Sequence, residues 1–207
     1  AAFALSTPCS NISDAVKYIG IRGIRNMLYT IGTVKSFATI SVNADRLWTH
    51  AHKVALYSYN LALNFCSKYK TVIADSYICG LLHDMGKIVF ESIHPESLEK
   101  MQKVCEERHI APVLMEHIIS GVNHAEIGAR IAERWHFPEN IVSVIRFHHS
   151  PELAPEDTKM LCCIVYLADL ITHYQEQEVD YYQIDPLILE EFNIASQQQL
   201  YTISEKL

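Results

Sequence analysis

In the stretch LLHDMGKIVF, residues 81–90, an apolar run ends on His83 and Asp84 and continues through Gly86 and Lys87. A histidine beside an aspartate at the end of an apolar helix can be a cap, a satisfied core histidine or half of a metal site. The question recurs along the chain. There are 11 histidines against 17 lysines and arginines, and histidine is the commonest metal ligand. His148 and His149 end a second apolar stretch, IVSVIRFHH, and His124 opens a third segment. Each has a bland account when taken alone. Asp84 can be a solvated turn residue, and His124 an exposed residue of a first helical turn.

Two further polar residues fall inside apolar faces. In ADRLWTHAHKVALYSYNLALNF, residues Leu47, His50, Val54, Leu61 and Phe65 recur at helical spacing and share one stripe. His52 lies about 200° around that helix and faces solvent. A buried histidine needs a partner, and for His50 a backbone carbonyl is the simple one. In the segment 155–174, Cys162, Val165, Tyr166, Asp169 and Thr172 form an i, i+3, i+4, i+7 row among leucines. An unpaired buried carboxylate is expensive, so Asp169 calls for a cation. Arg146 is the obvious salt-bridge candidate, and a metal ion is the other.

The joint pattern is harder to explain by separate accidents. Four helical segments each bring a histidine, a His-Asp pair or a His-His pair to a buried or terminal position, and a fifth brings an aspartate. Imidazoles and carboxylates together suit Zn, Fe, Mn or Ni. His50, His83, Asp84, His124, His148, His149 and Asp169 are too many for one tetrahedral ion. They suit two ions sharing a carboxylate, the arrangement used for in-line displacement at phosphorus.

The elements that must position these residues are all helical. Glycine is scarce, no Asn-Gly or Asp-Gly hairpin turn occurs, and apolar residues recur at steps of three and four. The expected fold is all-α, a single compact multi-helix domain. Ser13 is placed to cap a first helix, and a second runs over about 21–37. Asn43 opens a long one to about Tyr69, and another covers about 71–84. Pro95 starts a helix ending near His109, and Pro112 starts a short one ending near Gly121. Asn123 and Glu126 form a capping-box pattern opening 124–135. Pro138 opens 138–148, and Pro155 opens a helix to about Tyr174. The tail is polar apart from an apolar pattern around PLILEEF. Domain bounds of 1–175, with 176–207 as a C-terminal helical extension of the same domain, are expected. The opening AAFALSTPCSN reads as the interior of a domain, so further N-terminal helices are expected upstream, and it lacks the pattern of a signal peptide.

Composition narrows the function classes. The 207 residues are 49% hydrophobic and 20% charged, which suffices for a core. A net charge of −7 argues against a nucleic-acid backbone as partner. No apolar run reaches membrane-spanning length. Five of the six cysteines, Cys66, Cys79, Cys105, Cys162 and Cys163, fall in helical segments and read as small buried hydrophobes. Cys9 lies near the start. Reduced thiols and a cytoplasmic location are expected.

With these residues in order, the chain resembles the HD superfamily of metal-dependent phosphohydrolases, and more closely the HDOD family, the HD-related output domains of bacterial signalling proteins. The resemblance is carried by NISDAVKYIGIRGIRNML, LWTHAHKVA, GLLHDMGKIVF, HAEIGARIAERWHFPENIVSVIRFHHSPE and YLADLI. It implies an HD-type fold with His50, His83, Asp84 and Asp169 as metal ligands. Similarity to the sister HD-GYP phosphodiesterases adds His124, His148 and His149 as ligands, and Lys87 as the lysine that follows the His-Asp pair. Gly-Tyr-Pro, which follows the histidine pair in those enzymes, is absent, so cyclic dinucleotide hydrolysis does not carry over.

The resemblance implies a signal-transduction output domain with a retained dinuclear site, holding divalent ions among Fe, Mn, Ni, Zn and Mg. In this reading His50, His83 and Asp169 hold one ion, His124, His148 and His149 hold the other, and Asp84 bridges. The alternative is an active phosphohydrolase or phosphodiesterase on a nucleotide-type substrate, with Asp84 and Lys87 in catalytic roles. The expected partners are a signalling protein and a phosphorylated small molecule, with no nucleic acid and no membrane. A third reading, structural histidines without metal, predicts that changing His50 costs stability alone. His173, four residues past Asp169, is placed to orient it. Gly86 is expected to turn the chain so that Lys87 faces the site. His94, His109 and His136 are expected at the surface. Glu116 and His117 have no role that the sequence explains.

Overall fold

A computed structural model of the protein describes residues 44–93, 98–108 and 110–207, together with Gly20, Arg22, Gly23, Arg25, Asn26, Leu28, Tyr29, Thr30, Gly32 and Thr33. Those ten early residues are helical, and no strand occurs among the described residues. The capping roles of Ser13 and Asn43, the start at Pro95, and Cys9, His94 and His109 lie outside them.

Two long helices form the centre, each burying an apolar face. The first, α1 (Ala44–Phe65), buries Ala51, Val54, Ala55, Leu61 and Ala62 along one face. It packs on α2 (Lys70–Leu82), whose second half, from Ile78 to Leu82, is wholly buried. Gly80 makes this crossing close. A Cβ there would lie 2.7 Å from Ser58 Oγ and 2.9 Å from Ala55 Cα. The other central helix is α8 (Glu156–Gln175), which buries Leu161, Cys162, Ile164, Val165, Leu167, Ala168 and Ile171 against both α1 and α2.

Between them run α3 (Met85–Ile93), α4 (Leu98–Arg108), α5 (Pro112–Ser120), α6 (His124–Arg134) and α7 (Glu139–Phe147). The single helix expected over 71–84 ends at Leu82. A turn at His83 and Asp84 separates it from α3, which the sequence reading had not set apart. Gly86 is therefore no turn residue. It sits in the first turn of α3, where a Cβ would overlap the carbonyl oxygen of His124 and lie 2.7 Å from the Gly128 nitrogen. The glycine is needed for helix contact between α3 and α6.

The expected capping box is present. Asn123 Oδ1 accepts from the Glu126 N–H, and Glu126 Oε2 accepts from the Asn123 N–H. After α8 the chain forms α9 (Pro186–Glu191) and α10 (Gln197–Ser204), capped by Asp185 and Ser196. The sequence reading had not picked out α10. Ile184, Ile188, Leu189, Phe192, Ile194 and Leu200 join the same core as α1 and α8, and Phe65 meets Phe192 edge-on. Cys66, Cys79, Cys105, Cys162 and Cys163 are buried and unbridged. No helix among the described residues is long and apolar enough to cross a membrane.

Candidate metal centre

Five structural positions converge on one point. His50 comes from the middle of α1, His83 and Asp84 from the α2–α3 turn, His124 from the start of α6, His148 and His149 from the end of α7, and Asp169 from α8. His83, Asp84, His124, His148 and Asp169 are buried, while His50 and His149 are half-buried.

Asp84 lies between two groups. Its Oδ1 is 3.2 Å from His124 Nε2 and 3.5 Å from His148 Nε2. Its Oδ2 is 3.2 Å from His83 Nε2 and 3.8 Å from His50 Nε2, and accepts from Lys87 Nζ at 2.6 Å. His50 Nε2 is 2.9 Å from Asp169 Oδ1. The ligand-type atoms of Asp84, His124, His148 and His149 all lie within 4.8 Å of one another, as do those of His50, His83 and Asp169. A third group, His173 with Glu176 and Glu178, lies at the surface, where Lys53 pairs with Glu176.

The imidazoles are oriented from behind. His83 Nδ1–H donates to Gly80 O at 2.7 Å, and His148 Nδ1–H donates to Ile145 O at 2.8 Å. Both histidines end a helix, and both use an otherwise unpaired carbonyl three residues back. His124 Nδ1–H donates to Glu116 Oε2 at 2.6 Å. Carbonyls only accept. With Nδ1 protonated, a neutral ring turns the Nε2 lone pair inward.

The ring nitrogens that face inward meet one another. His124 Nε2 is 3.0 Å from His149 Nε2 and 3.4 Å from His148 Nε2. Two buried atoms facing the cluster, His83 Nε2 and Asp84 Oδ1, make no hydrogen bond. Buried polar atoms are normally satisfied, and converging imidazole nitrogens with an orphaned carboxylate oxygen have the donor set of a cation site. These residues fit divalent metal ions.

Protonation follows the same geometry. Burial alone would lower His83, but the Asp84 charge and Asp169 outweigh it and raise it to about 10. Burial also opposes the rise of His124, which its contacts with Asp84 and Glu116 drive upward. Burial pushes His148 down, and His149 well down, helped by the neighbouring histidines. Asp84 and Asp169 are held well below the usual carboxylate range. Burial opposes this, and it is outweighed by His83 and Lys87 for Asp84, and by His173, His50 and His83 for Asp169.

The simpler accounts of single residues do not hold. His50 faces two carboxylates rather than a backbone carbonyl. Arg146 pairs with Glu133 and not with Asp169. His173 reaches Asp169 Oδ1 at 3.4 Å and binds Glu178 through Nδ1 at 2.6 Å. His52 and His136 are exposed, and His117 lies outside the cluster, 3.8 Å from Glu126. Sequence reasoning missed the role of Glu116. Its signal was a lone carboxylate within the apolar stretch PVLMEHIIS, the same signal that singled out Asp169.

A family model for the HDOD domain matches residues 1–151. The chain belongs to the HDOD family. An uncharacterized protein of Treponema pallidum (strain Nichols) is 40% identical over 207 residues, the whole of this HDOD chain. The chain spans 40% of that relative's length. An HDOD domain protein of unknown function from Geobacter sulfurreducens has the same fold, with a TM-score of 0.71 at 24% identity over 97% of this chain and 67% of that one. A protein from Shewanella amazonensis SB2B, proposed to be a phosphohydrolase, aligns with a TM-score of 0.70 at 23% identity, covering 96% of this chain and 72% of its own. A protein from Marinobacter aquaeolei VT8, proposed to act in signal transduction, gives 0.74 at 18% identity, covering 99% of this chain and 46% of its own.

Proposed function

We propose that this HDOD chain is a cytoplasmic signal-transduction output domain built around two divalent cations. His50, His83 and Asp169 hold one, His124, His148 and His149 hold the other, and Asp84 offers one carboxylate oxygen to each. The observation that carries this reading is the set of Nε2 atoms aimed at the two oxygens of Asp84, three of them from rings whose Nδ1–H is already engaged. Fe, Mn, Ni, Zn and Mg are the candidate ions, with the imidazole-rich half favouring the first-row transition metals. A signalling protein is the proposed partner. Elemental analysis of the purified chain tests the reading, with about two ions per chain expected. A metal-free chain that takes up none on dialysis against Mn2+ or Fe2+ would contradict it.

A second reading, metal-dependent hydrolysis of a phosphorylated small molecule, is favoured by the partly exposed Lys87 beside Asp84. When bound, the ions would supply Lewis acidity and an acidified water for attack on a phosphoester. The chain's own part falls to Lys87 and Asp84. The Lys87 side chain is 24% exposed with its ammonium on Asp84, and it is placed to offset charge on phosphate oxygens. The Asp84 carboxylate, which faces both groups, holds Lys87 in place. His50 and His173 are also half-buried, with ring centroids 5.0 Å apart. Turnover of a phosphodiester by the loaded wild-type chain, lost in Lys87→Ala with metal content unchanged, is the expected result. Ions that stay bound and inert across a nucleotide panel would leave the output role alone.

A further inference from the structure

The helix α5 buries little of its apolar sequence. Glu116 is its only buried residue, whereas Leu114, Ile118 and Ile119 are 54%, 64% and 46% exposed. Val113 and Met115 are half-buried at most. The helix begins on Pro112 with no side-chain cap at Ala111, and it stops at Gly121, whose φ of 72° is left-handed. A helix this short does not hold itself in water, since isolated helices under about 12–15 residues are marginal. Tertiary contact must seat it. The polar tie to the body is Glu116, whose Oε2 accepts both the backbone N–H of His124 at 2.8 Å and the ring Nδ1–H at 2.6 Å. That backbone N–H belongs to the first turn of α6 and has no partner within its own helix.

His124 is thus held on both sides. Behind it stands Glu116, and in front its Nε2 faces Asp84, His148 and His149. We infer that Glu116 is a positioning residue that couples the seating of α5 to cation occupancy at Asp84, His124, His148 and His149. The inference rests on the metal-centre reading above.

A neutral imidazole carries one ring proton. With that proton on Nδ1 and bonded to Glu116, the Nε2 lone pair is available to the site. Without Glu116 the proton can move to Nε2, where it blocks the same lone pair. In the other direction, a cation on Nε2 makes the ring a stronger Nδ1–H donor, which tightens the grip on Glu116 and on α5. The coupling is reciprocal by thermodynamic necessity. It links the state of the buried centre to a helix whose outer face carries Leu114, Ile118 and Ile119.

The test uses the whole chain titrated with Mn2+, reading stepwise affinity by calorimetry and amide hydrogen exchange over residues 114–120. In wild-type protein the ion that depends on His124 is expected to slow exchange across α5. Glu116→Gln is expected to weaken that ion about 10- to 100-fold, to leave the ion held by His50, His83 and Asp169 unchanged, and to remove the protection of α5. Unchanged affinity for both ions in Glu116→Gln overturns the inference. So do two ions bound to wild-type protein with α5 exchange unmoved, a result that needs no variant and leaves the metal centre standing. Wild-type protein that binds no Mn2+ at all overturns both.

Discussion

The two halves of the cluster share Asp84 and differ in the chemistry of their other donors. The half made by His124, His148 and His149 has three imidazoles and one carboxylate oxygen, and the side chains of His124 and His148 are at most 1% exposed. The half made by His50, His83 and Asp169 has a second carboxylate, and each half has one half-buried histidine, His149 in the imidazole half and His50 in the carboxylate half. Protonation differs accordingly. In the imidazole half, burial keeps His148 and His149 neutral, while His124 is raised by Asp84 and Glu116 against burial. In the carboxylate half, Asp84 and Asp169 outweigh burial and raise His83 to about 10, and the adjoining His173 is raised to about 9 by Asp169 against the effect of burial. In the proposed centre, a cation in the carboxylate half would displace the His83 proton. Desolvation prevails at His148 and His149, and carboxylate charge prevails at His83.

Removing the shared residue should have the largest effect. Asp84→Ala is expected to abolish binding in both halves, taking the metal count from about two to none. Next come substitutions that separate the halves. His149→Ala should lose only the ion of the imidazole half and His50→Ala only that of the carboxylate half, each leaving about one per chain. Loss of both ions in either variant would show that the halves do not act separately.

The pH dependence sharpens the contrast. In the carboxylate half, affinity should climb as pH rises through neutrality toward about 10, because His83 gives up its proton across that window. In the imidazole half His124 must likewise give up a proton, whereas His148 and His149 are already neutral, and calorimetry at several pH values would read both profiles. Stability of the metal-free fold follows opposite signs. His148 and His149 are lowered in the fold, so their contribution is present above the ordinary histidine value of 6.5 and lost as pH falls. His83 is raised, so its contribution is complete below 6.5 and lost as pH rises toward 10. A melting temperature of the metal-free chain that is highest near neutrality, falling on both sides, is the expected profile.

A smaller effect concerns packing behind the cluster. Gly86→Ala would force α3 from α6 and is expected to cost about 1–3 kcal/mol, seen as a lower urea midpoint. The weakest is His52→Ala, on the exposed side of α1, which should change stability by less than about 0.5 kcal/mol and leave the metal count alone.

The all-helical fold was legible because Pro112, Pro138, Pro155 and the Asn123–Glu126 box punctuate the chain locally. His50 and Asp169 stood out for a similar reason, as polar residues on apolar faces. The break between α2 and α3 was not legible, since it is set by packing around His83 and Asp84 and no helix-breaking residue marks it. Gly86 was misread because its neighbour across the helix contact, Gly128, is 42 residues away in sequence. Glu116 was visible as a charge in an apolar helix, but its partner His124 is reached only through the left-handed turn at Gly121. Within a helix spacing tells which residues share a face, whereas between helices the contact exists only once the fold is formed.

Anomalous scattering from crystals of the Mn2+-loaded chain, recorded near the metal edge, addresses the central claim most directly. Two peaks are expected, one on each side of Asp84, the first against His50, His83 and Asp169 and the second against His124, His148 and His149. No peak at Asp84, or density confined to the surface group at His173 and Glu178, would contradict it.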